Sequence, residues 1–111
     1  MTSSIFTSFA LPSGQIIKNR LVKAAMEENL ATSKHLPGEE LKRLYKSWAD
    51  GGVGLIITGN VMVDHLAMTG PAGVVLEQDT DLTPFIDLAK LSKTNGTKIW
   101  MQINHPGRHV F

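Results

Sequence analysis

The segment Trp100-Met101-Gln102-Ile103-Asn104-His105-Pro106-Gly107-Arg108 holds a dense run of groups that could do chemistry. Gln102 closes an apolar run that reads as a strand. A buried amide there needs partners for one carbonyl and two N–H donors, and a ligand or a neighbouring strand could supply them. His105 and His109 stand four apart, as a metal pair could. Pro106 and Gly107 break any helix between them and no carboxylate lies nearby, so no metal is expected. The glycines of Trp48-Ala49-Asp50-Gly51-Gly52-Val53-Gly54-Leu55-Ile56-Ile57-Thr58-Gly59-Asn60 precede an apolar run instead of linking a strand to a helix. They therefore match neither a P-loop nor a dinucleotide fingerprint, and a tight helix-to-strand turn accounts for them. Zero cysteines exclude a disulfide framework, a thiolate metal site and a cysteine nucleophile.

The whole composition narrows the field further. The chain has 111 residues, 42% hydrophobic and 19% charged, with a formal net charge of +1. That is the size and apolar content of one folded domain, not of a disordered tract. A charge near zero supplies no field for nucleic acid or an anionic membrane. No apolar run approaches the ~20 residues that span a bilayer. Met1–Ala10 has no basic residue and no long apolar block, so no secretory leader is expected. These features together read as a soluble, cytoplasmic protein.

The elements that must position these groups are legible from periodicity. In Glu39–Asp50 the apolar residues Leu41, Leu44, Tyr45, Trp48 and Ala49 fall on one helical face, with Gly51 and Gly52 as the stop. A second helix is expected from about Pro84 to Asn95, with Thr83 as N-cap and Gly96 as its end. Phe85, Ile86, Leu88, Ala89 and Leu91 should face inward. Strands are expected at Leu21–Met26, Val53–Thr58 and Lys98–Ile103, because near-continuous apolar runs belong to parallel strands covered on both faces. Phe9–Asn19, around Pro12-Ser13-Gly14, reads as a small hairpin. Strand–helix alternation marks βαβ units. A (β/α)8 barrel needs roughly 250 residues, so three strands that end in a loop at His109-Val110-Phe111 read as the beginning of a larger fold.

Four segments in this order carry a family resemblance: Leu11-Pro12-Ser13-Gly14, Lys18-Asn19-Arg20, Gly51-Gly52-Val53-Gly54-Leu55-Ile56-Ile57 and Gln102-Ile103-Asn104-His105-Pro106-Gly107-Arg108. The resemblance they carry extends over essentially the whole chain. They resemble the N-terminal part of the Old Yellow Enzyme family, the NADH:flavin oxidoreductases that include enoate and 2,4-dienoyl-CoA reductases. The resemblance implies an α/β fold: the first three strands and two helices of a (β/α)8 TIM barrel, preceded by an N-terminal β-hairpin that closes its bottom. Residues 1–111 would be an incomplete domain.

The implied activity is FMN-dependent, with NAD(P)H as electron donor and hydride passing from flavin N5 to an electron-poor alkene or similar small molecule. On this resemblance Ala25, Met26 and Glu27 would lie against the isoalloxazine. Asn60 would sit near its pyrimidine edge, and Gln102 would hydrogen-bond that edge. Two positions depart from the family pattern. Glu27 stands where many members have a small hydroxyl or thiol residue, and an ionised carboxylate there would oppose charge on a reduced flavin unless it turns away or is protonated. Asn60 stands where alanine or glycine is usual. The substrate-anchoring histidines, the tyrosine proton donor and the phosphate loops come from later strands, so no catalytic residue is expected here. Open sheet edges allow two other readings: a non-catalytic remnant that docks on or associates with another chain, or a small α/β binding module.

Overall fold

The computed structural model describes residues 4–109. Met1–Ser3 and Val110-Phe111, the two ends discussed above, lie outside the described residues, as does the side chain of His109. The chain begins with the expected hairpin: β1 (Phe9–Ala10) and β2 (Ile16–Ile17) pair antiparallel, Phe9 opposite Ile17. Gly14 turns it with φ +93°, a backbone conformation that glycine alone adopts without strain.

β3 (Val22–Lys23), α1 (Glu39–Asp50), β4 (Leu55–Met62), β5 (Val74–Val75), α2 (Thr83–Ser92) and β6 (Lys98–Asn104) follow. β4 is the middle of a parallel sheet. β6 runs along one edge of it, from Leu55↔Lys98 to Met62↔Asn104. β3 pairs with its first residues (Val22↔Leu55) and β5 with its last (Val61↔Val74), so both must share the opposite edge. Three of these strands and two helices are the expected βαβαβ order.

Four boundaries differ from expectation. The first strand keeps only Val22 and Lys23 in the ladder. Farther along, the edge of β4 is occupied by β5, and the Gly59 N–H turns to the Glu28 carboxylate and the Tyr45 hydroxyl. The second strand begins later and runs on to Met62. Thr83 is inside α2 with Leu82 before it, and Asp81 Oδ1 accepts the Thr83 N–H at 3.0 Å, taking the capping role. α2 ends at Ser92, and Asn95 and Gly96, both left-handed, form a separate turn. Ile86 is exposed, because α2 buries the narrower stripe Phe85, Leu88 and Ser92.

Leu41, Tyr45 and Ala49 of α1 meet Ile56 and Val61 of β4, and Phe85 and Leu88 of α2, in one core between helices and sheet. The Lys18-Asn19-Arg20 motif is a clamp at the N-terminal end of the sheet. Asn19 donates to Gly52 O at 2.7 Å and accepts from Leu21 N, while Arg20 lies over the Phe9 ring. Gly54 is a glycine because a Cβ would stand 2.6 Å from Asn19 Oδ1. The glycine cluster is thus a close helix-to-strand connection. Among the described residues no helix is long and apolar enough to cross a membrane.

The face of the sheet away from the helices has little cover. Val22 and Trp100 are exposed on it, and on the opposite face Met101 and Ile103 of β6 are exposed too, Ile103 retaining 65% of its surface. Among the described residues, no strand pairs with the outer edge of β6. Uncovered apolar surface beside a free edge favours association. The isolated chain is expected to elute from size-exclusion chromatography well above its 12.1 kDa monomer mass. A monomeric peak with a cooperative denaturation curve would count against it.

Candidate cofactor site

In a parallel α/β sheet ligands gather at the C-terminal strand ends. Here those ends bring together Ala25–Glu28 beyond β3, Asn60–Met62 of β4 and Gln102–Asn104 of β6. The facing of these residues depends on a β-bulge. Ile57 pairs with Trp100, but the next pair is Asn60 with Gln102, so β4 carries one extra residue at Thr58-Gly59. Strand side chains alternate with period two, and the inserted residue moves Asn60 from the helix side to the face that carries Ile57 and Gln102. The ladder stays satisfied because the Gln102 N–H donates to Thr58 Oγ1 at 2.9 Å. Gly59 allows the crossing: a Cβ there would collide with the Met26 carbonyl and the Glu28 carboxylate.

On that face lies a connected set of polar side chains. Asn60 Oδ1 accepts from Gln102 Nε2 at 3.0 Å and from Asn104 Nδ2 at 3.1 Å. Asn60 Nδ2 donates to Thr69 Oγ1 at 3.4 Å, and the Thr69 hydroxyl donates to Glu27. The loop carrying Thr69 is tied down by Asn29, whose Oδ1 accepts from Ala72 N, and by the Ala31 N–H on Ala72 O. Glu27 turns to Thr69, so its charge has a donor. Ala25 and Met26 are exposed next to it, Met26 at 53%. All five residues singled out from the sequence therefore gather at one end of the sheet. Thr58, Thr69 and Asn104 join them. Thr69 had no sequence signal, whereas Asn104 sits inside the Gln-x-x-His segment.

Behind the site, on the helix side, is a buried charged cluster that sequence reading passed over. Lys23 and Glu28 side chains are only 7% and 10% exposed, with Nζ and Oε2 3.8 Å apart. Glu28 Oε2 accepts the Tyr45 hydroxyl at 2.7 Å. Lys23 Nζ sits 4.5 Å from the Trp48 ring centroid and has no hydrogen-bond partner among the described residues. Burial pulls the lysine pKa down, against the opposing pull of Glu28. Burial first, and then the hydrogen bond to Glu28, pushes the Tyr45 pKa well up, so its proton stays in place. The signal was present: a lysine inside an apolar strand needs an anion, and Glu28 follows five residues later.

Asp64, His65 and Glu77, unremarked in the sequence, bring one potential ligand atom each within 4.8 Å of one another. Both the His65 N–H and its Nδ1 meet Glu77 Oε2 at 2.9 Å, which makes an ion-pair clasp across the loop. His105 Nδ1 accepts the Gly107 N–H in its own turn. The hydrogen bond to Glu77 and then its charge raise the His65 pKa, and the His65 N–H foremost lowers that of Glu77. The histidine contribution is complete below its ordinary value of 6.5 and fades as pH rises through the raised one. The glutamate contribution is complete above 4.5 and fades as pH falls through the lowered one. The melting-temperature gap between wild type and His65→Ala should therefore be wide at about pH 5.5 and narrow at about pH 9. An equal gap at both would show that the charge on His65 contributes nothing to the clasp.

The profile of the NADH:flavin oxidoreductase / NADH oxidase family matches residues 4–111. The chain belongs to that family. It is 36% identical over 99 residues to an NADH-dependent flavin oxidoreductase of Hypocrea jecorina, covering 86% of this chain and 25% of that protein. It is 39% identical over 96 residues to an NADH oxidase of Thermoanaerobacter brockii, covering 86% and 15%. An Old Yellow Enzyme homologue from Zymomonas mobilis superposes with a TM-score of 0.81 at 22% identity, over 93% of this chain and 28% of that one. The family member described here thus spans about a quarter or less of the length of these curated relatives. Its sheet and helices match part of the barrel fold of the structural neighbours, and among the described residues the sheet does not close on itself.

Proposed function

We infer that this chain supplies the first three strands of an FMN-dependent NAD(P)H oxidoreductase whose acceptor is a small electron-poor alkene. The observation that carries the reading is the Asn60–Gln102–Asn104 amide cluster, at the C-terminal strand ends of a chain from this family. Neutral amides suit the uncharged donor–acceptor edge of an isoalloxazine, and the exposed Ala25 and Met26 suit its flat apolar surface. Bound FMN would supply hydride transfer through its N5. The chain's own residues bind and orient. Gln102 offers its carbonyl to the ring edge, Met26 excludes water beside it, and Glu27 is kept off the ring by its hydrogen bond with Thr69. A cytoplasmic location belongs to the same reading.

A barrel chimera tests this, with residues 4–109 replacing the matching segment of the Hypocrea jecorina relative. It should purify yellow, with flavin absorbance near one equivalent, and should oxidise NADH. A folded but colourless chimera that FMN cannot reconstitute would overturn the reading. The isolated chain should keep no FMN through purification, because it presents only one side of the ring site. Near-stoichiometric flavin bands on it would show that this piece suffices.

A further inference from the structure

We propose that Glu27, through Thr69 and Asn60, is a positioning residue that locks the Gln102 amide with its carbonyl facing the ligand. The argument is one of donors and acceptors. A carboxylate only accepts, so the single Thr69 hydroxyl proton goes to Glu27. Thr69 Oγ1 must then accept from its other neighbour, which fixes the Asn60 NH2 group on the Thr69 side. The Asn60 carbonyl is thereby turned to β6, where it takes one N–H from Gln102 and one from Asn104. Two donors on one carbonyl leave neither amide free to flip without facing oxygen to oxygen. Gln102 Nε2 is committed to Asn60, and Oε1 points out of the network as an acceptor.

The lock selects a ligand that presents an N–H to Gln102. Resting on the flavin reading above, that donor is the imide N3–H of the isoalloxazine. The same device explains both departures from the family pattern. Asn60 is the amide that links the two halves of the relay, and Glu27 is the anion that gives it direction.

Side-chain amide NMR on the 15N-labelled barrel chimera in its apo form tests the relay without any flavin. Thr69→Val and Glu27→Gln should each shift the NH2 resonances of Gln102 and Asn104, and Thr69→Ser should restore them. Resonances that stay in place in both variants would overturn the proposal. The ligand half is read in the barrel chimera, by titrating FMN and 3-methyl-FMN, which lacks the N3–H. Wild type should prefer FMN by about tenfold or more, the loss expected for an unmet buried acceptor. Thr69→Val should bring that preference toward unity. A purely structural role for Thr69 would weaken both ligands equally and keep the ratio, and that result also overturns the proposal. Failure of the flavin reading looks different: neither flavin binds wild type, while the amide resonances still answer to Thr69 and Glu27.

Discussion

Glu28→Ala is expected to lower the unfolding free energy by about 3–5 kcal/mol, as removal of one partner from a buried ion pair does. Domains hold roughly 5–15 kcal/mol in all, so the loss removes a large share of the stability and should lower the urea midpoint markedly. The loss has three sources. Lys23 is left as a buried cation with only the Trp48 and Tyr45 rings beside it. The Tyr45 hydroxyl loses its acceptor, and Gly59 N loses one of two. A double variant, Lys23→Met with Glu28→Gln, should recover most of the stability, since it keeps an acceptor for Tyr45 and removes the stranded charge. Urea denaturation of the three proteins, each carried in the apo barrel chimera, measures this. A loss below about 1 kcal/mol in Glu28→Ala would mean that the pair behaves as a solvent-exposed one.

Gln102→Ala in the barrel chimera is expected to weaken FMN binding by about one to two decades, because each unsatisfied buried polar group costs about 1–3 kcal/mol. The melting temperature of the apo form should change little. Alanine gives up the side-chain hydrogen bond to Asn60, but the Asn60 carbonyl keeps Asn104 as a donor and the backbone N–H of residue 102 keeps Thr58. If Gln102 serves only to tie β6 to β4, the opposite pattern appears: a lowered apo melting point with FMN affinity unchanged. Measuring both on one preparation separates the roles.

The sequence by itself determined the order of elements, because that order is written in short-range signals. The five-residue stripe of α1 and the glycines after it place that helix to the residue. The Leu-Pro-x-Gly turn places the hairpin, and the unbroken apolar runs mark parallel strands. Family membership was legible for the same reason, since four local motifs in order suffice. Gln102 was legible as an amide at a strand end.

The tertiary structure decided which way these groups face. One extra residue at Thr58-Gly59 reverses the side on which Asn60 projects, and a bulge is a property of two strands in register. Thr69 reaches Glu27 across 42 residues of chain, and no spacing announces such a contact. β5 went unseen because two valines carry no period and pair only where β4 leaves an edge free. Lys23 changed meaning most: in the sequence it interrupts a buried strand, and in the fold it is the cation that holds Glu28 beneath the site. Burial of a charge is set by what packs over it, and here that cover is α1, which begins sixteen residues farther along the chain.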